Sequence, residues 1–403
     1  MKKKEKWMKF RHRVAWAVLY PILAPVTLIK FPIKVERFKD QRNRPYLILF
    51  NHQTPFDQFF VALAFKGPIY FISTEDIMSN GWVSKVIKWL LAPIPIKKQA
   101  GDFSAVMTTL RVAREGATIA MAPEGNRTYS GKTEHINPAV AGLVKKMKLP
   151  IALFRIEGGY GMEPRWSNIT RRGKMRGYVH RVLEPEEYAK LSNEELYEQI
   201  CQGLYVNEGV ADDIFRSGKR AEYLERAVYV CPFCGLSKFE SHGNEAECLT
   251  CQRKVLYGED KTITGVGYEF PFRFMTEWYD YQKDYVNGLD LAQYDQKAAF
   301  TDRARISEVI LNKRKQIICK DAGVALYGDR IAINEGTPEQ MILPFEEVTA
   351  AACLGRNKLN IYHNGKVLQL KGSKRFNALK YVHFYYRHKN ISRGDINGKF
   401  LGL

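Results

Sequence analysis

The 403-residue chain is poor in acid: 43 Asp and Glu stand against 62 Lys and Arg, a formal net charge of +19. Uninterrupted apolar runs are scarce as well. A spanning helix needs about 20 apolar residues. The run from Val14 to Ile29 has sixteen and is interrupted by Pro21 and Pro25. No small-residue cleavage site follows it, and Lys30, Lys34, Arg37 and Lys39 come next, so a signal peptide is not expected. There is no Gly-x-Ser-x-Gly elbow, which removes the sequence support for a serine acyl-enzyme. Gly125 to Thr133 ends in Gly-Lys-Thr, but five residues separate its glycines where a phosphate loop has four, so that motif is absent too. Seven cysteines include two Cys-x-x-Cys pairs, a pattern that fits metal binding in a reducing compartment better than a disulfide scaffold.

What is present is unevenly distributed. Between Met1 and Arg44 thirteen Lys or Arg face three acids, a net of +10, which favours an anionic surface. The proline-interrupted run inside this segment reads as a broken helical hairpin entering one membrane leaflet, with its lysines on lipid headgroups. From Arg44 to Tyr188 apolar strands (46–50, 69–73, 94–97, 117–122, 151–157, 175–182) alternate with helical patterns (55–65, 81–91, 102–115, 137–147), which is the signature of an α/β fold.

One stretch carries chemistry. Asn51-His52-Gln53-Thr54-Pro55-Phe56-Asp57 follows the apolar run 46–50. A histidine at a strand end with a carboxylate five positions on can act as base and orienter: the imidazole takes a proton and the carboxylate fixes its tautomer. Thr54, Pro55 and Asp57 also read as a helix cap, which leaves Asn51 and His52 unexplained. Downstream, Ala122-Pro123-Glu124-Gly125-Asn126-Arg127-Thr128 follows another strand. Its arginine can hold a phosphate in a bidentate contact, and its glycine lets backbone amides approach an anion.

These two blocks, Asn-His-x-x-x-x-Asp and Pro-Glu-Gly-Asn-Arg-Thr, resemble the first block and a second block of the glycerolipid acyltransferases, the family that includes 1-acylglycerol-3-phosphate acyltransferase. The resemblance covers roughly residues 10 to 190. It implies that His52 and Asp57 are catalytic, that Gly125 and Arg127 bind the acceptor's phosphate, and that Glu124 holds their loop. Where the family usually has an arginine, after Pro93-Ile-Pro-Ile96, stands a lysine, assigned here to Lys98. Leu149-Pro150-Ile151 keeps only the first proline of a further family block and is assigned a structural role.

Cys231-x-x-Cys234 and Cys248-x-x-Cys251, thirteen residues apart, have the spacing of two knuckles around a tetrahedral structural Zn2+. They resemble a zinc ribbon, although no glycine follows the second knuckle. His242 between them is expected to face solvent. The last hundred residues read as several short strands, with a hairpin signal at Asn364-Gly365, and then one helix from Ser373 to His388. That pattern is similar to a pleckstrin-homology or GRAM-type barrel.

The expected organisation is a basic membrane-associated helical segment (1–40), an α/β acyltransferase domain (41–205), a helical linker (206–226), a zinc ribbon (227–258), a connector (259–300) and a PH/GRAM-like β-barrel with closing helix (301–395). The resemblance implies transfer of a fatty acyl group from acyl-CoA or acyl carrier protein to 1-acylglycerol-3-phosphate, in phospholipid biosynthesis. No cofactor is needed at the reaction centre. The partners are then membrane phospholipids, lysophosphatidic acid and the acyl donor, at the cytoplasmic face of the cell membrane as a peripheral or monotopic protein. Nucleic acid is not expected, because the ribbon holds few basic residues. Two alternatives remain open: another lysolipid acceptor, or a non-catalytic lipid- or nucleic-acid-binding module.

Overall fold

The computed structural model describes residues 6–74, 81–96, 103–210, 213–310, 315–395, 398 and 400–402. Lys98 lies outside them. The chain opens with α1 (Phe10–Lys30), one helix of 21 residues with Pro21 and Pro25 inside it. This corrects the broken hairpin. Each proline removes one backbone donor and crowds the preceding turn, yet the remaining ladder carries the helix through to Lys30. No second arm follows, because the chain enters β1 (Ile33–Val35) directly. Residues 33–35 therefore belong to the sheet and not to a separate N-terminal segment.

The α/β part continues through β2 (Leu47–Phe50), α2 (Asp57–Ala64), β3 (Ile69–Thr74), α3 (Trp82–Leu91), β4 (Ile94–Ile96), α4 (Phe103–Arg114), β5 (Thr118–Met121), α5 (Ala139–Met147), β6 (Ile151–Glu157), α6 (Gly159–Met162), β7 (Met175–Leu183), α7 (Pro185–Tyr188) and α8 (Asn193–Leu204). Seven strands form one sheet in the order β1-β7-β6-β2-β5-β3-β4. All neighbours are parallel except β6 and β7. β2 lies at the centre and is buried on both faces. Leu47 and Leu49 enter one core, and Tyr46, Ile48 and Phe50 enter the other. This explains its continuous apolar run, since a strand covered on both sides does not alternate. Because β2 and β5 are parallel neighbours, with Leu49 opposite Met121, the loops that follow them emerge side by side. This is the carboxyl edge, where open α/β sheets bind ligands.

The segment 206–226, expected as a helical linker, holds only single 3-10 turns at Glu208–Val210 and Leu224–Arg226 among its described residues. It packs as irregular chain, with Phe215, Leu224 and Arg226 buried. Short strands follow: β8 (Val230–Cys231), β9 (Gly235–Leu236), β10 (Phe239–His242), β11 (Glu245–Cys248), β12 (Lys254–Tyr257) and β13 (Ile263–Gly265), the last four forming one antiparallel sheet. That sheet runs past residue 258, the expected end of the cysteine-bearing unit. Helix α9 (Met275–Asn287) leads to β14 (Phe300–Glu308), β15 (Gln316–Leu326), β16 (Arg330–Ile333), β17 (Met341–Pro344), β18 (Val348–Leu354), β19 (Lys358–His363), β20 (Lys366–Gly372) and α10 (Leu379–Ser392).

The last seven strands form an antiparallel sheet in the order β17-β16-β15-β14-β20-β19-β18. Its two edge strands, β17 and β18, are joined by only the three residues Phe345–Glu347. The sheet must therefore curl to bring its edges together. Asn364 and Gly365 both take positive φ, 48° and 73°, as a tight hairpin between twisted strands requires. One core cluster runs through this sheet, α9, the cysteine-bearing strands and Tyr129, Tyr160 and Trp166 of the α/β part. The regions are packed together rather than strung on linkers.

Candidate active site

Helix α2 begins at Asp57, two residues later than the Pro55 start expected from the sequence, and the Asp57 carboxylate explains the shift. It is fully buried and gathers the donors of the preceding turn. Oδ2 accepts from the Gln53 amide at 2.7 Å, and Oδ1 accepts from the Thr54 amide at 2.9 Å and the Thr54 hydroxyl at 2.7 Å. Oδ2 also meets His52 Nδ1 at 2.8 Å. The loop thus folds around the carboxylate, which binds the donors of the turn before the helix and His52 with the same two oxygens. The His52 ring stands edge-on to Phe50, with centroids 6.3 Å apart, and its side chain remains 26% exposed.

The second loop is tied to the first by Glu124. One carboxylate oxygen accepts from the His52 amide at 2.7 Å and the other from the Glu134 amide at 2.7 Å. The Thr128 amide donates to the His52 carbonyl at 3.1 Å. Burial raises the Glu124 carboxyl well above its usual range, and nearby Glu134 and Asp57 push the same way, while the two amides counter them. Gly125 sits at φ +68°, a left-handed conformation that a side chain disfavours. Arg127 is buried, and its Nη1 has no hydrogen-bond partner among the described residues. Burial, followed by the like charges of Arg165 and Arg356, lowers the Arg127 guanidinium to about 10.

His52, Gly125 and Arg127 face one cavity of about 840 Å³. Its walls are largely apolar and include Trp16 and Leu23 of α1, Phe59 and Leu63 of α2, and Val106 of α4. An imidazole paired with a carboxylate, beside an apolar space and a buried cation, can take a proton from a hydroxyl while an anion is held nearby. Of the residues expected at the site, His52, Asp57, Glu124, Gly125 and Arg127 are together.

Two supporting residues carried little or no sequence signal. Asn51 bridges β2 to β6: its Nδ2 donates to the Ile156 carbonyl at 2.8 Å and its Oδ1 accepts from the Ile156 amide at 2.7 Å. Gln53 Oε1 accepts from the Tyr160 amide at 2.9 Å. For Asn51 the hint was its place, unexplained by capping, directly after a buried strand; for Gln53 there was none. Arg165, whose Nη1 donates to the Arg127 carbonyl at 2.7 Å, lies in no motif.

The four cysteines form a separate cluster. The sulfurs of Cys231, Cys234, Cys248 and Cys251 all lie within 4.8 Å of one another and could hold a metal ion. Two of the edges measure 3.7 Å (Cys231–Cys251) and 3.6 Å (Cys234–Cys248). Gly235 follows the first knuckle at φ +76°, and Gln252 takes the corresponding left-handed conformation after the second, at φ +60°. The glycine missing from the sequence is thus replaced by a strained glutamine. His242 is 69% exposed beside Glu240. Of the other cysteines, Cys353 is buried, whereas Cys201 and Cys319 are only half-buried.

Comparison with known proteins bears on the α/β part. Residues 32–156 match the family model described as Acyltransferase. Among solved structures, the chain is similar to the 1-acyl-sn-glycerophosphate (LPA) acyltransferase PlsC from Thermotoga maritima, at 20% identity and a TM-score of 0.39, over 48% of this chain and 80% of that one. No curated protein matches the chain. Through residues 32–156, which contain both loops of the site, the chain carries a domain of the acyltransferase family.

Proposed function

We propose that the protein is a membrane-associated acyltransferase that moves a fatty acyl group from a thioester, on coenzyme A or acyl carrier protein, to the free hydroxyl of 1-acylglycerol-3-phosphate. The observation that carries this reading is the His52–Asp57 pair, 2.8 Å apart, opening on an apolar cavity that also holds the buried Arg127. With Nδ1 donating to Asp57, His52 Nε2 takes the proton of the acceptor hydroxyl. The oxygen attacks the thioester carbonyl directly, the carbon–sulfur bond breaks, and the leaving thiolate receives the proton from the imidazolium. Asp57 stabilises that cation in between. Arg127, with the Gly125 backbone, holds the acceptor's phosphate. Lys98 is proposed as a further phosphate contact on sequence grounds alone.

Membrane attachment is supported by the outer faces of α1 and α3. α1 is long and apolar enough to cross a membrane by length and composition. Val14, Val18, Ile22, Val26 and Ile29 form an exposed stripe along it, and Trp82, Val86 and Trp89 of the adjacent α3 are exposed as well. Exposed apolar faces of this extent mark interaction surfaces. With the basic N-terminus, they favour a protein lying on an anionic leaflet, at the cytoplasmic side, over one that spans it.

The cysteine cluster is proposed to hold one structural Zn2+. Zn–S bonds of about 2.3 Å in a tetrahedron give sulfur–sulfur edges of about 3.8 Å, close to the two edges measured. A closed set of four thiolates leaves no open position, so its contribution is to folding. The curled sheet with α10 packed against it supports a PH/GRAM-like reading of the C-terminal part. A mass-spectrometric screen of purified protein with mixed lysolipids and acyl donors tests the whole reading. Diacyl phosphatidate should be the dominant product, and acylation of a different lysolipid instead would overturn the acceptor assignment.

A further inference from the structure

The cavity has a wall that lies far outside residues 32–156. Leu354, at the end of β18, Gly355 in the turn and Lys358, the first residue of β19, line the same space as His52 and Arg127. Two buried side chains from the segment after α6 hold this hairpin against the α/β part. Glu163 pairs with Arg356 of the turn and accepts from the Thr170 hydroxyl at 3.2 Å. Arg165 Nη2 donates to the Cys353 carbonyl at 3.1 Å, while Nη1 of the same guanidinium donates to the Arg127 carbonyl at 2.7 Å. The Arg165 guanidinium also lies over Tyr129, 4.3 Å from the ring centroid. One planar fork therefore joins β18 to the loop that carries Arg127.

The backbone of Arg127 is fixed on both sides. Its carbonyl is held by Arg165, and the next amide, of Thr128, donates to the His52 carbonyl at 3.1 Å. Arg127 Nη1 has no partner among the described residues, so the backbone sets where that end of the guanidinium reaches. The acceptors of Arg165 are neutral: two carbonyls and, at 3.3 Å, the Asn126 side-chain oxygen. They fix the fork without cancelling its charge. That charge and the one on Arg356 both disfavour the cation on Arg127, after burial itself. A guanidinium that served stability alone would gain nothing from standing beside a second buried one. Its use here is geometric, and it is made at the site.

We propose that Arg165 is a positioning residue for acceptor binding: it fastens the β18–β19 turn of the C-terminal sheet to the loop of Arg127 and so fixes the guanidinium that holds the acceptor's phosphate. The proposal rests on the glycerophosphate reading above and extends it, because the C-terminal sheet then takes part in acceptor recognition.

The test is steady-state acyl transfer by the full-length protein, with lysophosphatidic acid as acceptor, acyl-CoA as donor and Arg127→Ala as the reference variant. Arg165→Lys keeps the charge but loses the planar fork. It should raise KM for lysophosphatidic acid about 10-fold, the worth of one charge-assisted contact. kcat and KM for the donor should stay near wild type. In the Arg127→Ala background the same change should add less than about 2-fold, because a residue that acts through Arg127 has nothing left to act on. Glu163→Gln keeps the side-chain shape and releases Arg356 of the turn, so it should also raise KM for lysophosphatidic acid. A purely electrostatic role predicts the opposite sign, since this change removes a negative charge near Arg127. Glu163→Gln decides the question should Arg165→Lys fail to fold. An unchanged KM for lysophosphatidic acid in folded Arg165→Lys, full additivity with Arg127→Ala, or an unchanged or lowered KM in Glu163→Gln overturns the proposal and leaves the acyltransferase reading intact. A rise in KM for the donor, or a fall in kcat alone, overturns it by pointing to a general structural effect. An unchanged KM for lysophosphatidic acid in Arg127→Ala overturns the phosphate reading itself, and the proposal with it.

Discussion

Replacing Asp57 with asparagine perturbs the group on which the catalytic loop is built. The carboxylate accepts four bonds: from His52 Nδ1, the Gln53 amide, the Thr54 amide and the Thr54 hydroxyl. An amide keeps one oxygen, and its NH2 must face donors on the other side. Turned toward Thr54, it is accommodated by rotation of the hydroxyl, at the expense of the backbone amide. Turned toward His52, it requires an unprotonated Nδ1 and so moves the proton to Nε2, the nitrogen proposed as the base. In both arrangements charge-assisted bonds become neutral or are lost. At roughly 1 kcal/mol each, less what rotation recovers, Asp57→Asn should cost about 2–4 kcal/mol of stability. That exceeds the roughly 1 kcal/mol typical of a simple helix cap. Turnover should fall further, by about 10²- to 10⁴-fold, because the imidazolium loses its countercharge. Urea unfolding and thiol release from acyl-CoA, measured on one preparation, read both quantities. A variant that loses 1 kcal/mol or less (about the cap value) and turns over like wild type would refute this account of the loop.

Four further outcomes are expected. Purified protein should contain close to one zinc per chain, and Cys231→Ser or Cys248→Ser should lower both metal content and melting temperature, because binding energy in such sites is largely folding energy. Gln252→Gly should leave stability within about 1 kcal/mol of wild type, since relief of the left-handed strain offsets glycine's added freedom when unfolded. Gly235→Ala should lose about 1–2 kcal/mol, because its φ is left-handed and the added Cβ also has to displace the Tyr285 hydroxyl. Ile22→Glu combined with Trp89→Glu should weaken sedimentation with anionic liposomes while leaving the melting temperature unchanged, since both side chains are more than half exposed. Undiminished binding would move the anchor elsewhere.

The parts of the fold legible in the sequence were those fixed by local pattern. The runs 46–50, 117–122 and 151–157 read as strands because both of their faces are buried, and the alternation with helices implied an α/β fold. Asn364-Gly365 marked a hairpin because left-handed residues are required there. The two motif loops were legible as chemistry, and their meeting followed from the pairing of β2 with β5. Long-range packing was not legible. Pro21 and Pro25 suggested a break, but a proline costs a helix only part of its ladder. Nothing around Lys358 or Arg165 distinguishes them from ordinary surface cations, because their positions depend on the curled sheet docking against the loop of Arg127.

The central claim is that His52 is the base that activates the acceptor hydroxyl. The most direct measurement is phosphatidate formation from acyl-CoA and lysophosphatidic acid by His52→Ala protein whose unfolding curve matches wild type. A fall in turnover of at least about 10²-fold is expected. Near-normal acyl transfer by the folded variant would contradict it.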